Sequence, residues 1–260
     1  MTVQTDTVND NEVRLYYPDK ISSDASLILF HGGGLVGGEP HIHDHMASWY
    51  AKQLKLLVLC AGYRKAPEHA APAAIDDCLA TWDWLMDNSE RLQIDKAKVI
   101  LGGISAGGGL AACLSQRLLD REGVQPTALL LHYPMLDDRT AVDRSMDELN
   151  HKMWNNKSNR VGWTHYLGAD RLGAHDLPDY LSAARRTNYS GLPPTWLGVG
   201  DVDLFYEESK RYARELTTHG VPCHLEVVPG APHGFDFFGL KTDLVQDYLG
   251  NSALFIRQFT

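Results

Sequence analysis

The stretch Val99-Ile100-Leu101-Gly102-Gly103-Ile104-Ser105-Ala106-Gly107-Gly108-Gly109-Leu110 constrains this chain more than any other. An aliphatic run ends in glycine, a serine follows between Gly103 and Gly107, and a helical apolar pattern begins at once. That order predicts a buried strand over residues 98–103, a hard turn at Ser105 and a helix over 106–121. A serine in such a turn sits on strained backbone with its oxygen pushed out above the sheet. The flanking backbone then comes too close for side chains, which is why glycine stands on both sides. The helix behind it turns its N-terminal N–H groups and positive dipole end toward the serine. By itself the pattern G-x-S-x-G is short enough to arise by chance, so partners must come from the rest of the chain.

The remaining 248 residues alternate strand and helix signals. Residues 26–30, 56–61 and 128–132 are continuous apolar runs, the mark of strands covered on both faces. Residues 12–17 and 223–228 alternate, and 195–199 form another strand, whereas residues 1–11 are expected to fray. Helical patterns occupy 44–54, 72–88, 205–219 and 240–258. In the second of these, opened by Pro72, Ile75, Leu79, Trp82 and Leu85/Met86 share one face. This rhythm predicts an α/β class: a mostly parallel central sheet with helices on both faces, in one domain over 1–260. Residues 137–181 break the rhythm. They are polar, carry Trp154, Trp163 and Tyr166, and are expected to cross the carboxyl edge of the sheet as a small helical insertion. The three aromatics either pack that insertion or line a pocket, and both readings stay open here.

In an open parallel sheet, functional groups collect in the loops that follow the strands' carboxyl ends. Four such loops carry chemistry. His31-Gly32-Gly33-Gly34 frees backbone N–H groups to face a cleft, as stabilising an oxyanion requires. Ser105 follows the strand 98–103, Gly200-Asp201-Val202-Asp203 follows 195–199, and Pro232-His233-Gly234-Phe235 follows 223–228. A serine hydroxyl needs a base, His233 has a suitable intrinsic pKa, and an imidazole needs a carboxylate to fix its tautomer. Asp203 or Asp201 can supply that carboxylate. The order Ser, acid, His with an HGGG loop is that of the α/β-hydrolases.

These residues resemble the hormone-sensitive-lipase-like family of α/β-hydrolase carboxylesterases. His31-Gly32-Gly33-Gly34 matches its oxyanion motif, and Gly103-Ile104-Ser105-Ala106-Gly107-Gly108 is similar to its G-D-S-A-G-G motif. Tyr63-Arg64 with Ala66-Pro67-Glu68-His69 resembles Y-R-x-A-P-E-H. Asp203-Leu204-Phe205-Tyr206-Glu207-Glu208 and His233-Gly234-Phe235 resemble the acid and histidine motifs. The resemblance runs from about residue 27 to the C-terminus. It implies an α/β-hydrolase fold, with Ser105 as nucleophile, His233 as base and Asp203, rather than Asp201, as orienting acid. It further implies an oxyanion hole from the N–H groups of Gly33, Gly34 and Ala106, with Glu68 a structural partner near the elbow. The implied reaction is hydrolysis of a carboxylic ester through an acyl-enzyme, without cofactor or metal. An amide or formamide hydrolase would use the same groups, and a non-catalytic binding protein of this fold typically lacks one of them. Small, short-acyl esters are the expected substrates, because the chain offers little lid material. Two departures stand out. Ile104 takes the place of the family's acidic residue, and the family's N-terminal cap extension is nearly absent. The site is then either more open, or capped chiefly by 137–181 or by the partner subunit of a homo-oligomer.

Charge and cysteines narrow the setting. A net charge of −9 over 260 residues argues against nucleic acid and anionic membranes as partners. Cys60, Cys78, Cys113 and Cys223 are dispersed, without ligand or disulfide spacing, and fit a reducing compartment. The polar, acidic start shows no signal-peptide pattern and no apolar run spans a membrane, so a cytoplasmic protein is expected. In His41-Ile42-His43-Asp44-His45, the spacing of His41 and His45 could suit zinc. A solvated helix start with Asp44 at the positive dipole end is the expected reading. Residues 152–160 are expected to be a solvated charged surface.

Overall fold

The structure, a computed structural model, describes all residues 1–260. Its eight strands are β1 (Thr2–Val8), β2 (Asn11–Tyr17), β3 (Ser26–Phe30), β4 (Leu57–Ala61), β5 (Val99–Ile104), β6 (Ala128–His132), β7 (Thr195–Gly200) and β8 (Cys223–Val228). They form one sheet in the order β1-β2-β4-β3-β5-β6-β7-β8. From β4 to β8 every neighbouring pair is parallel, and β2 joins β4 antiparallel. β3, β4, β5 and β6 are buried along their whole length, as continuous apolar strands between two helical layers must be.

The crossovers are α1 (Asp44–Leu54), α2 (Ala73–Asp87) with the short α3 (Ser89–Leu92), α4 (Ala106–Arg121) and, after an excursion, α7 (Tyr206–Thr218). Ile75, Trp82 and Leu85 of α2 are buried as their spacing predicts, while Leu79 and Met86 are half-buried at the edge of that face. The excursion between β6 and β7 holds α5 (Arg139–Val142) and α6 (Asn156–Leu167) with two 3-10 turns. The Asn155 side chain caps α6 by accepting the Ser158 N–H at 3.1 Å. Trp163, Tyr166 and Leu167 of α6 are buried in the common core, and the Tyr166 carbonyl accepts the Ala71 N–H at 2.8 Å. Arg185 grips the buried Asp138 through two bonds of 2.8 Å, fixing where the excursion returns.

Two local expectations need correction. Residues 2–8 are not frayed. They pair with β2 from Thr2↔Tyr17 to Val8↔Asn11, through a turn whose Asn9 and Asp10 have φ of +48° and +63°. Two positive-φ residues make the hairpin turn whose twist suits flanking strands, and Asn and Asp tolerate that region. The strand escapes an apolar criterion because six of its seven residues face solvent or nearly so. The last helix also starts later than expected. A short α8 (Phe235–Gly239) lies ahead of the expected start at residue 240, and α9 (Asp243–Ile256) begins where the Thr242 hydroxyl accepts the Val245 N–H.

Candidate active site

Four loops at the carboxyl edge meet at one point. β5 delivers Ser105 with φ +56° and ψ −119°, a conformation that a non-glycine residue holds only when its surroundings fix it. Its backbone is fixed on both sides: its N–H donates to the His132 carbonyl at 2.9 Å, and its carbonyl accepts from Met135 N–H at 3.0 Å. The flanking glycines answer to close approach. A Cβ on Gly107 would stand 2.1 Å from the Phe30 carbonyl oxygen, and one on Gly103 would stand 2.1 Å from that of Gly107. An alanine at either position must push backbone apart, the physical content of the G-x-S-x-G pattern.

Ser105 Oγ lies 2.8 Å from His233 Nε2, and His233 Nδ1 lies 2.8 Å from Asp203 Oδ2. A carboxylate accepts only, so the proton sits on Nδ1 and Nε2 is free to take the serine proton. Asp203 is buried at 3% exposure and also accepts the Phe205 N–H at 2.9 Å on Oδ1. Asp201 is exposed and instead accepts the Gly230 N–H at 2.6 Å, tying the β7 and β8 loops together. Edges of aromatic rings confine the imidazole of His233: Tyr133 at 4.9 Å and Phe205 at 5.1 Å between centroids. Tyr133 is held in turn by donating its hydroxyl to the buried Asp236 at 2.6 Å. His45 stands 3.6 Å from the other oxygen of Asp236.

The glycine loop after β3 sits opposite Ser105. The Gly33 carbonyl accepts from Val36 and Gly37 at 3.2 and 2.9 Å, while the N–H groups of Gly33 and Gly34 have no acceptor in the protein. Ala106 is the first residue of α4, where an N–H has no intrahelical partner. These three groups are the ones predicted to form the oxyanion hole. His31 is buried and stacks on Tyr63 at 4.2 Å, and Tyr63 donates its hydroxyl to the His31 carbonyl at 2.9 Å.

A pocket of about 350 Å³ opens over the serine, lined by Ile104, Tyr133, Met153, Trp154, Phe237 and Phe238 among others, with no lysine, arginine, aspartate or glutamate. Ile104 thus supplies an apolar wall where a carboxylate was expected from the family. The three aromatics of the excursion divide. Trp154 lines the pocket and covers Gly34, whose Cβ would stand 2.2 Å from the indole, whereas Trp163 and Tyr166 pack in the core. Glu68 is exposed and makes no hydrogen bond or ion pair, contrary to its expected role beside the elbow. The bonds of that segment are made by Tyr63 and by Arg64, which pairs with the buried Asp77 at 2.8 Å. The histidine run is scattered: His41 is exposed beside Glu39, His45 faces Asp236, and His43 is buried in the pocket wall, a place no local sequence signal marks.

Burial holds three imidazoles neutral: His31 is lowered to about 3, and His43 and His132 to about 4. His132 sits between the hydroxyls of Tyr50 and Tyr248 at 3.0 and 2.9 Å, and the nearby Asp236 charge offsets burial at His43 and His132 only in part. The unfolded rings, near the ordinary 6.5, take up protons that the folded rings refuse. This stabilisation is whole above about pH 6.5 and is lost as pH falls toward about 4, by up to about 1.4 kcal/mol per pH unit for each ring. The urea midpoint at pH 5 is therefore expected below that at pH 7; an equal or higher midpoint would contradict neutral burial.

Residues 27–237 match the family described as the alpha/beta hydrolase fold. Carboxylesterase NlhH of Mycobacterium tuberculosis is 28% identical over 99% of this chain and 81% of its own length. Ethyl acetate hydrolase of Pseudomonas putida is 32% identical over 86% of this chain and 70% of its own length. Among solved structures, a bacterial heroin esterase superposes with a TM-score of 0.92 at 27% identity, covering 99% of this chain and 84% of its own. An esterase of the bacterial hormone-sensitive lipase family superposes with a TM-score of 0.88 at 25% identity, over 99% and 84%.

Proposed function

The chain belongs to the alpha/beta hydrolase fold family, and we propose that it is a serine carboxylesterase of small, short-acyl esters, working through an acyl-enzyme. The observation that carries this reading is the unbroken hydrogen-bonded row Ser105–His233–Asp203, facing two glycine N–H groups that have no other acceptor. Ser105 Oγ attacks the ester carbonyl carbon while His233 Nε2 takes its proton, and Asp203 stabilises the imidazolium that forms. The carbonyl oxygen becomes an oxyanion held by the N–H groups of Gly33, Gly34 and Ala106. Collapse breaks the bond to the alcohol, which leaves with the proton from His233. A water, deprotonated by His233, then attacks the acyl-serine; collapse frees Ser105 and releases the acid. No step draws on a cofactor.

The substrate reading rests on the pocket. Its uncharged wall suits neutral esters, since an unpaired charge there loses its hydration. Trp154, seated over Gly34, closes the space beside the oxyanion site. With p-nitrophenyl esters of rising chain length, kcat/KM is expected to be highest from acetyl to butyryl and at least about tenfold lower for palmitoyl, in line with what pocket fit discriminates. A profile rising toward palmitoyl overturns the short-acyl reading. Replacing Trp154 with Ala removes the indole wall and is expected to shift the optimum toward longer chains in the same panel. No helix is long and apolar enough to cross a membrane. We read the chain as one domain with residues 137–181 as its cap, and as a cytoplasmic protein. A homo-oligomer is compatible with the open pocket mouth at Phe238, which is 75% exposed.

A further inference from the structure

The glycine loop can serve an oxyanion only if its peptide planes are held in one orientation, and the two peptides on either side of the Gly32 Cα are each held by a neighbouring imidazole, the first of them also by the Tyr63 hydroxyl on the His31 carbonyl. His31 Nδ1 lies 2.7 Å from the Gly32 carbonyl oxygen, and the Gly32 N–H donates to His43 Nε2 at 3.1 Å. His43 belongs to the 3-10 turn Pro40–His43, eleven residues along the chain from Gly32, and is 3% exposed. The edge of the Phe237 ring packs against it at 5.3 Å between centroids, fixing the plane of the imidazole. An N–H can be accepted only by a ring nitrogen that carries no proton, so His43 is the neutral imidazole protonated on Nδ1. Its low affinity for a second proton, set by burial against the partial opposing pull of Asp236 and with the His45 ring alongside, keeps that acceptor available.

We propose that His43 is a positioning residue for ester hydrolysis, its Nε2 fixing the Gly32 peptide so that the Gly33 and Gly34 N–H groups point at the developing oxyanion. The proposal rests on the serine-esterase reading above. The space around Gly32 is tight: a Cβ there would meet the Ile104 carbonyl oxygen at 3.2 Å, Ser105 Cβ at 3.3 Å and His43 Nε2 at 3.5 Å. The loop therefore touches the nucleophile's own strand on one side and His43 on the other. With His43 gone, the Gly32 N–H has no acceptor and its peptide keeps only the Tyr63 bond at the His31 carbonyl, so the plane can tilt about that one anchor and carry the next N–H out of line. Substrate binding in the apolar pocket does not depend on that peptide, so the loss should fall on the transition state, where the oxyanion forms.

The test compares wild type with His43→Leu and His43→Gln, the latter able to place an amide oxygen near the position of Nε2. With p-nitrophenyl acetate, His43→Leu is expected to lower kcat about 100-fold, the scale of a misplaced oxyanion donor, with KM within about threefold. His43→Gln should recover at least about tenfold of that loss. Inactivation by a fluorophosphonate, whose phosphoryl oxygen takes the oxyanion's place, should slow in parallel. If His43→Leu does not fold, His43→Phe replaces it as the variant without an acceptor. A folded acceptor-less variant with wild-type kcat, a loss that falls on KM instead, or a His43→Gln no better than His43→Leu overturns the proposal. If wild type itself neither hydrolyses esters nor takes the fluorophosphonate, the serine-esterase reading falls. If wild type does both and the His43 variants match it, only the role of His43 falls.

Discussion

Ser105→Ala is expected to lower kcat for p-nitrophenyl acetate by about 10⁶-fold while leaving the fold intact. The substitution removes one oxygen. That oxygen is the hydroxyl hydrogen-bonded to His233 Nε2, at 2.8 Å, and no other side chain in the pocket is bonded to that nitrogen. About 8 kcal/mol of barrier is at stake. Alanine meets the same φ of +56° as serine, and the backbone bonds to His132 and Met135 remain, so the thermal midpoint should move by no more than a few degrees. A fluorophosphonate should label wild type at this residue and leave the variant untouched. A variant that keeps wild-type turnover would remove Ser105 from the reaction.

The second large effect separates two aspartates two residues apart. Asp203→Asn is expected to cost about 10⁴-fold in kcat, because an amide can donate to Nδ1 and so favours the tautomer whose Nε2 already bears a proton. Asp201→Asn keeps the oxygen that accepts the Gly230 N–H and should leave kcat within about threefold of wild type. Steady-state kinetics of the two purified variants decide it. Equal losses, or the larger loss at Asp201, would reassign the orienting acid.

The legible parts of this site share a cause. Ser105 and Asp203 follow buried strands whose apolar runs end abruptly in turn residues, His233 follows the alternating edge strand β8, and parallel-sheet geometry brings such ends together. Gly33 and Gly34 were readable because glycine is what a loop needs to adopt φ of +128° and +63°. What escaped has long-range causes. His43 reads like a solvated histidine until Gly32 is placed beside it. Glu68 looks placed for a role near the elbow, yet Arg64 and Tyr63 make the bonds of that segment. β1 carries no apolar signal because an edge strand gains its partner from register and turn rather than from apolar residues. Trp154 and Trp163 stand nine residues apart in one polar segment. Only the path of the chain into α6 decides that one faces substrate and the other the core.

The four site loops leave β3, β5, β7 and β8, which span the sheet from near its centre to its far edge and the chain from His31 to His233. No contiguous piece of the polypeptide holds more than a fragment of the reaction. Turnover is therefore a built-in reporter of the sheet from β3 to β8. During chemical denaturation, loss of hydrolysis should track loss of far-ultraviolet circular dichroism where the sheet opens as a unit; where β8, which precedes the proposed base His233, detaches first, hydrolysis should be lost while most of the helical signal persists.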